Sequence, residues 1–123
     1  MIKCRIPQSW YMQSPIFTSG KTIATTGGHG DPTNGMPKDN YSPPTPEEGV
    51  IDSPQDAIKA VRQRYKDGTD GIKITATGGV LSVAKSGENP QFTDEELLAI
   101  VNTANDYGLW TAAHAHGKEG MKR

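Results

Sequence analysis

Three places in the sequence put an amine or an imidazole in or shortly before a glycine-rich turn. Lys73 lies in an apolar run that ends in a Gly-Gly pair, His29 lies between glycines, and His114 and His116 precede Gly117. Neutral imidazole is the commonest side-chain ligand for transition metals. A desolvated lysine amine can react as a Schiff base or, with carbon dioxide, as a carbamate. These residue types indicate a metal site or a reactive amine if the fold brings them together.

Each candidate also has a plainer structural interpretation. A lysine in an apolar strand is costly to bury as an ammonium ion, so Lys73 could instead reach solvent or pair with a carboxylate. The H-x-H spacing of His114 and His116 puts both side chains on one face of a strand, but a single H-x-H is a weak indication of metal binding. His29 could be a solvent-exposed turn residue. The Gly-Gly pairs could cradle a phosphate, although neither matches a P-loop or a G-x-G-x-x-G motif.

The elements that must position these residues alternate between strand and helix. The predicted elements, in chain order, are a strand at 16–26, a helix from the N-cap Ser53 to Gly68, a strand at 71–77, a helix from the capping box at Thr93 to Gly108, a strand at 109–115, and a helix that begins near Lys118. This order predicts right-handed βαβ units and a parallel sheet. Functional residues of such folds collect at the carboxyl ends of the strands, and we expect all four candidate residues to lie at or near these ends.

Each of the two long predicted helices carries an apolar stripe on one side. The stripes consist of Ala57, Ile58, Val61 and Tyr65 in the first helix and of Leu97, Leu98, Val101 and Ala104 in the second. Apolar residues that recur every three or four positions share one helix face. We expect both stripes to be buried.

Composition limits the class of protein. The 123 residues are 33% hydrophobic and include 14 Gly and 9 Pro, which allows one small domain with a thin core. The formal net charge of −1 predicts neither nucleic acid nor an anionic membrane as a partner. We expect no signal peptide and no transmembrane segment, and the single Cys4 excludes an internal disulfide. The cellular compartment stays unknown.

Several motifs together resemble one known family, the amidohydrolase superfamily, and within it the imidazolonepropionase-like branch that includes Xaa-Pro dipeptidases and other prolidase-like enzymes. The motifs are Thr26-Gly27-Gly28-His29-Gly30-Asp31, Ile72-Lys73-Ile74 with Ala76-Thr77-Gly78-Gly79-Val80, Gln91-Phe92-Thr93 with Glu95-Glu96, and Ala112-Ala113-His114-Ala115-His116-Gly117 with Glu119-Gly120. The resemblance extends from about Phe17 to Arg123. It implies an irregular segment at residues 1–14 and a partial amidohydrolase barrel domain at 15–123.

The resemblance implies a fold and a set of ligands. The fold is α/β, a (β/α)8 TIM barrel, of which this chain would hold a fragment of about strands 3 to 5 with the intervening helices. Lys73 would be the carboxylated lysine that bridges two metal ions, and His114 would bind the second ion. His29 and His116 would face substrate. The first-strand H-x-H pair, the sixth-strand His and the eighth-strand Asp have no counterpart in these residues, so no catalytic residue is assigned.

The function implied by the resemblance is metal-dependent hydrolysis of a dipeptide or an N-acyl amino acid by a metal-activated water. The first implied cofactor is a divalent metal, with Zn²⁺ as the first candidate, which forms a binuclear centre in the complete enzyme. The second is carbon dioxide, which is bound as the lysine carbamate. The expected partner is a small-molecule or dipeptide substrate, with no nucleic acid and no membrane. Two alternatives stay open: a truncated and catalytically inert gene fragment, and a small α/β module that binds a phosphate ligand.

Overall fold

The computed structural model describes residues 15–79 and 87–123, so the segment 1–14 lies outside the described residues. The elements in chain order are β1 (Ala24–Thr25), a 3-10 turn (Lys38–Asn40), a second 3-10 turn (Pro46–Glu48), β2 (Val50–Ile51), α1 (Pro54–Lys66), β3 (Gly71–Thr75), α2 (Asp94–Asp106), β4 (Trp110–His114) and α3 (Lys118–Lys122). Strands alternate with helices from β2 onward, so the predicted α/β class is confirmed for this part of the chain.

The strands of the described residues pair in parallel, as predicted. β1 pairs with β2, and β3 pairs with β4 over its full length, with Gly71 opposite Trp110 and Thr75 opposite His114. A parallel bridge between Ile23 and Ile74 places β1 on the other side of β3. The strand order is therefore β2, β1, β3, β4, and the carboxyl ends of all four strands lie at one edge.

The helix boundaries follow the predicted capping residues. Ser53 accepts a hydrogen bond from the amide of Asp56 at the start of α1, and Thr93 and Glu96 form a complete capping box at the start of α2. Gly68 and Gly108 follow the two helices with positive φ angles of 78° and 67°, where a side chain would be strained. No helix in the described part of the chain has the length and apolar character needed to cross a membrane.

The core lies between the sheet and the helices, and its composition differs from the predicted stripes. It is built from Ile23, Ile51, Ala57, Ala60, Val61, Ile72, Ile74, Ala76, Phe92, Ile100, Ala104 and Leu109. The prediction was wrong for Tyr65, Leu98 and Val101, which are all exposed, Leu98 at 60%. The buried faces are rotated because α1 buries Arg64 and α2 buries Glu96 and Thr103, polar residues that no hydrophobic pattern includes.

The first strand is much shorter than predicted. Only Ala24–Thr25 forms a strand, and Ile16 is 90% exposed. Gly20 bends the chain at a φ of +62°, and before this bend Thr18 exchanges hydrogen bonds with Asp70 (2.9 Å to its carboxylate and 2.8 Å from its amide). The residues before the bend therefore bind the loop that precedes β3 instead of extending β1.

Arg64 joins the amino ends of β1 and β2 from inside the protein. Its side chain is 1% exposed, and its guanidinium donates hydrogen bonds to the carbonyls of Lys21 (3.4 Å) and Glu47. Asp67 lies 3.8 Å from Nε and partly neutralises the charge. Burial lowers the pKa of the Arg64 guanidinium from its ordinary value, and the nearby Asp67 carboxylate opposes this shift.

Asp31 organises the turn that follows β1. Its carboxylate accepts hydrogen bonds from the amide of Gly27 (2.8 Å) and from the amide and hydroxyl of Thr33 (2.8 and 2.7 Å). Burial raises the pKa of the Asp31 carboxyl, but the bonds from Thr33 and Gly27 lower it further, so that it lies below the usual 3.8. The ionised form thus holds the turn that carries His29.

We expect Arg64→Met to destabilise the protein by about 2 kcal/mol, because the carbonyls of Lys21 and Glu47 lose their buried donor. Urea unfolding followed by circular dichroism measures this change. Arg62→Met is the matched control, since Arg62 is exposed on the same helix. Equal stability of the two variants would contradict the role given to Arg64.

We expect Asp31→Asn to cost about 1–2 kcal/mol at pH 6, because an amide cannot accept all three hydrogen bonds of the carboxylate. The folded pKa of Asp31 is depressed, so its contribution is present above the unfolded pKa and is lost as pH falls through the folded value. Urea unfolding at a series of pH values should show the two proteins converging below pH 3.8. The exposed Asp39→Asn serves as control, and a difference that stays constant with pH would exclude this explanation.

Candidate functional site

The candidate site lies at the carboxyl edge of the sheet, on the face that carries Lys73. Alternate residues of a strand share a face, so Lys73 and Thr75 point to the same side of β3. In the parallel register Lys73 lies opposite Ala112 and Thr75 lies opposite His114. Lys73 and His114 are both half-buried. The structure therefore places these two sequence-predicted residues on one face of two neighbouring strands.

The three histidines come together at this edge. The ring centroids of His29 and His114 are 5.0 Å apart with an interplanar angle of 35°. The rings of His114 and His116 are stacked at 8°, with 6.2 Å between their centroids. His29 is half-buried, contrary to its plainer interpretation as a solvent-exposed turn residue. The turn after β1 thus adds a third imidazole to the pair at the carboxyl end of β4.

Side-chain atoms at this edge are buried without a hydrogen-bond partner. Within the described residues, Nδ1 of His29, Nε2 of His114 and the hydroxyl of Thr75 are all inaccessible to solvent and make no hydrogen bond. An unsatisfied buried polar atom costs about 1–3 kcal/mol, and native proteins keep few of them. Two such imidazole nitrogens in neighbouring rings suit a ligand that accepts or donates at both.

The backbone around the site is held by Thr77 and Gln91. The hydroxyl of Thr77, which is fully buried, accepts the amide N–H of His116 at 2.8 Å. The side-chain oxygen of Gln91 accepts the amide N–H of His29 at 2.9 Å, and the amide of Gln91 donates to the carbonyl of Ala76 at 3.0 Å. Both residues therefore attach a histidine-bearing loop to the end of β3.

Sequence reasoning missed Thr75, Thr77 and Gln91. Thr75 could have been found, because it is two residues after Lys73 and so shares its strand face. The roles of Thr77 and Gln91 depend on contacts across 39 and 62 residues of sequence, which no local pattern reveals. Val80 of the family motif lies outside the described residues.

The described residues do not form a complete metal-binding cluster. No group of three or more His, Cys, Asp or Glu side chains in residues 15–79 and 87–123 is arranged to hold a metal ion. A catalytic zinc normally takes about three protein ligands and a water. The two residues that the resemblance assigns to a metal, Lys73 and His114 with its unpartnered Nε2, would fill part of such a shell.

Two concave surfaces in the described part of the chain are formed by residues other than those of the candidate site. One has a volume of about 630 Å³ and is lined by residues between Thr26 and Pro44 together with Asp52. The other, of about 430 Å³, lies between α2 and the C-terminal end of α3 and includes Leu98 and Val101. Neither of these two surfaces is lined by His29, Lys73 or His114.

Known proteins resemble this chain over most of its length. The family model "Amidohydrolase family" matches residues 10–123. Ochratoxinase from Aspergillus niger is 32% identical over 118 residues, which cover 86% of this chain and 24% of that protein. The crystal structure of a Xaa-Pro dipeptidase with bound methionine in its active site is 69% identical with a TM-score of 0.84, and the match covers 87% of this chain and 26% of that one.

A third relative extends the same pattern. The crystal structure of a prolidase complexed with N-methylphosphonate-L-proline is 31% identical with a TM-score of 0.73, and the match covers 86% of this chain and 27% of that one. The chain therefore spans about a quarter of the length of these relatives. The resemblance to prolidase-like amidohydrolases is confirmed, and with it a family whose fold is a TIM barrel. On a family match that runs from residue 10 to residue 123, this chain belongs to the amidohydrolase family.

Proposed function

We propose that these residues form part of the active site of a metal-dependent hydrolase that cleaves carbon–nitrogen bonds in dipeptides or N-acyl amino acids. The observation that carries the proposal is the pair of buried, unpartnered nitrogens, Nδ1 of His29 and Nε2 of His114, beside Lys73 at the carboxyl edge of the sheet. Buried polar atoms without a partner are rare in native proteins, and a bound ion or a catalytic role is one of the established reasons for them.

The roles within the site follow from position and from family membership. His114 and Lys73 would hold a divalent ion such as Zn²⁺, with Lys73 as its carbamate, because an ammonium ion cannot ligate a metal and a carbamate can. The bound ion would supply a Lewis acid that activates water and polarises the amide carbonyl. His29 and His116 would contact substrate, since both lie beside His114 at the open end of the strands. The assignment of β1, β3 and β4 to barrel strands 3, 4 and 5 belongs to the same proposal.

The substrate class is supported by two relatives. One solved Xaa-Pro dipeptidase holds methionine in its active site, and a solved prolidase is complexed with N-methylphosphonate-L-proline. Both ligands are an amino acid or an N-substituted amino acid of small size. A dipeptide whose second residue is proline is therefore the first substrate to test.

The chain of 123 residues on its own is expected to be inactive. Lys73 and His114 supply two ligands, fewer than the roughly three that a catalytic zinc requires. We expect no hydrolysis of Xaa-Pro dipeptides by residues 1–123 supplied with Zn²⁺ and bicarbonate, measured by release of free proline. Turnover that disappears in the Lys73→Ala variant would overturn this expectation and would show that the ligand set is larger.

The roles of His114 and His116 can be separated in a complete barrel. We suggest replacing the matching quarter of the 69% identical Xaa-Pro dipeptidase with residues 17–123 of this chain. In this chimera His114→Ala should lose bound metal and turnover together, because the activating ion loses a ligand. His116→Ala should keep its metal and lose about tenfold to a hundredfold in kcat/KM through poorer positioning of substrate.

Elemental mass spectrometry measures the bound metal of the two variants, and steady-state kinetics measures their kcat/KM. Together they show which histidine binds the metal and which contacts substrate. The unsubstituted chimera is the control for correct assembly, and Asn105→Ala, exposed on α2, is the control for substitution as such. If His116→Ala strips the metal while His114→Ala retains it, the two assignments are reversed and the proposed register of β4 falls.

A further inference from the structure

The imidazole of His29 lies directly on the backbone of Gly79. A Cβ atom built on Gly79 would lie 2.2 Å from Cε1, 2.4 Å from Nδ1 and 2.7 Å from Nε2 of His29. Contacts between a Cβ and another heavy atom below 3.0 Å are essentially never found, so no side chain fits at residue 79 while the ring stays in place. The φ angle of Gly79 is not positive, so its backbone conformation does not require glycine. The requirement for glycine comes from the steric clash with the His29 ring.

The backbone of His29 has little freedom to avoid such a collision. Its amide donates to the side-chain oxygen of Gln91, and the amide of Gln91 is itself bound to the carbonyl of Ala76 at the end of β3. The Asp31 carboxylate holds the same turn through the amide of Gly27. A Cβ at residue 79 would therefore displace the ring rather than the turn.

The ring that would be displaced is the one that approaches His114. The centroids are 5.0 Å apart, and the two unpartnered nitrogens belong to these two rings. His114 is fixed from the other side, because its carbonyl accepts the amide of Ala76 at 2.9 Å. The distance between the imidazoles thus depends on where the His29 ring can rest.

We propose that Gly79 is a positioning residue: its missing side chain leaves the space in which the His29 imidazole is held beside His114. Gly79 itself is not proposed to contact substrate. It acts through His29, so the consequence for substrate binding rests on the proposed function, whereas the positioning of the ring does not.

The test of positioning uses the 123-residue chain without metal or substrate. With ¹³C-labelled histidine, the nuclear Overhauser cross-peak between the ring protons of His29 and His114 should be present in the unsubstituted chain. In Gly79→Ala it should vanish while far-UV circular dichroism stays unchanged. A cross-peak that persists in Gly79→Ala would overturn the proposal.

Gly120→Ala is the matched control. Its Cβ would also collide, at 2.1 Å, but with the Cγ2 of Thr77 rather than with His29. The cross-peak should survive in this variant. Loss of the cross-peak in both variants would mean that any crowding at this edge separates the rings, and Gly79 would have no special part.

A second arm covers the case in which Gly79→Ala does not fold. The double variant His29→Ala/Gly79→Ala removes the ring that meets the new methyl group, so it should recover the unfolding midpoint of His29→Ala. A double variant that stays unfolded would show that the collision is not with His29, and the proposal would fail.

The functional consequence is measured in the chimera. Gly79→Ala should raise KM for an Xaa-Pro dipeptide about tenfold while bound metal stays unchanged, as expected for loss of a substrate-positioning group. An unchanged KM together with a lost cross-peak would leave Gly79 as the residue that positions His29 and would refute the substrate role of His29. Loss of metal would instead refute the separation of His29 from the metal ligands.

Discussion

The hydrogen bonds on both edges of β3 are the constraint on which the rest of the structure depends. On one edge the amide of Ile23 donates to the carbonyl of Lys73 at 2.8 Å, and the amide of Thr75 donates to the carbonyl of Ile23 at 3.1 Å. On the other edge β4 pairs along all five residues of β3. β1 leads into the turn that carries His29, and β4 ends at His114. These hydrogen bonds therefore fix the backbone positions from which both imidazole side chains extend.

The helices were predictable because their signals are local. Ser53, Thr93 and Glu96 cap the helix starts within four residues of sequence, and the glycines at 68 and 108 end the helices through their own backbone geometry. The first strand was not predictable, because β-branched residues favour a strand but pairing decides whether one forms. The bend at Gly20 and the contact of Thr18 with Asp70 remove the pairing partner for residues 16–20.

The site was predictable in part. The parallel order of strands was enough to predict Lys73 and His114 at the same end of the sheet. Their common face depends on the register between β3 and β4, which the sequence does not show. The approach of His29 to His114 was not, because it requires the bond from His29 to Gln91, the turn around Asp31 and the open space over Gly79. The predicted buried faces of the two helices were wrong for a related reason, since Arg64 and Glu96 are buried through long-range packing and no hydrophobic pattern counts charged residues as core.

The buried guanidinium of Arg64 has a consequence for how such a sequence can change over time. It fastens the segments before β1 and β2, at the edge of the sheet opposite the histidines. The residues that hold the strands together and the residues of the candidate site thus lie at opposite ends of the same strands. Residues in the loops at the carboxyl ends of the strands can therefore be substituted without weakening the contacts of Arg64 at the amino ends. In such a scaffold, substitutions that change ligand specificity leave the stabilising contacts intact. In a fold where the same residues served both purposes, these substitutions would also lower stability.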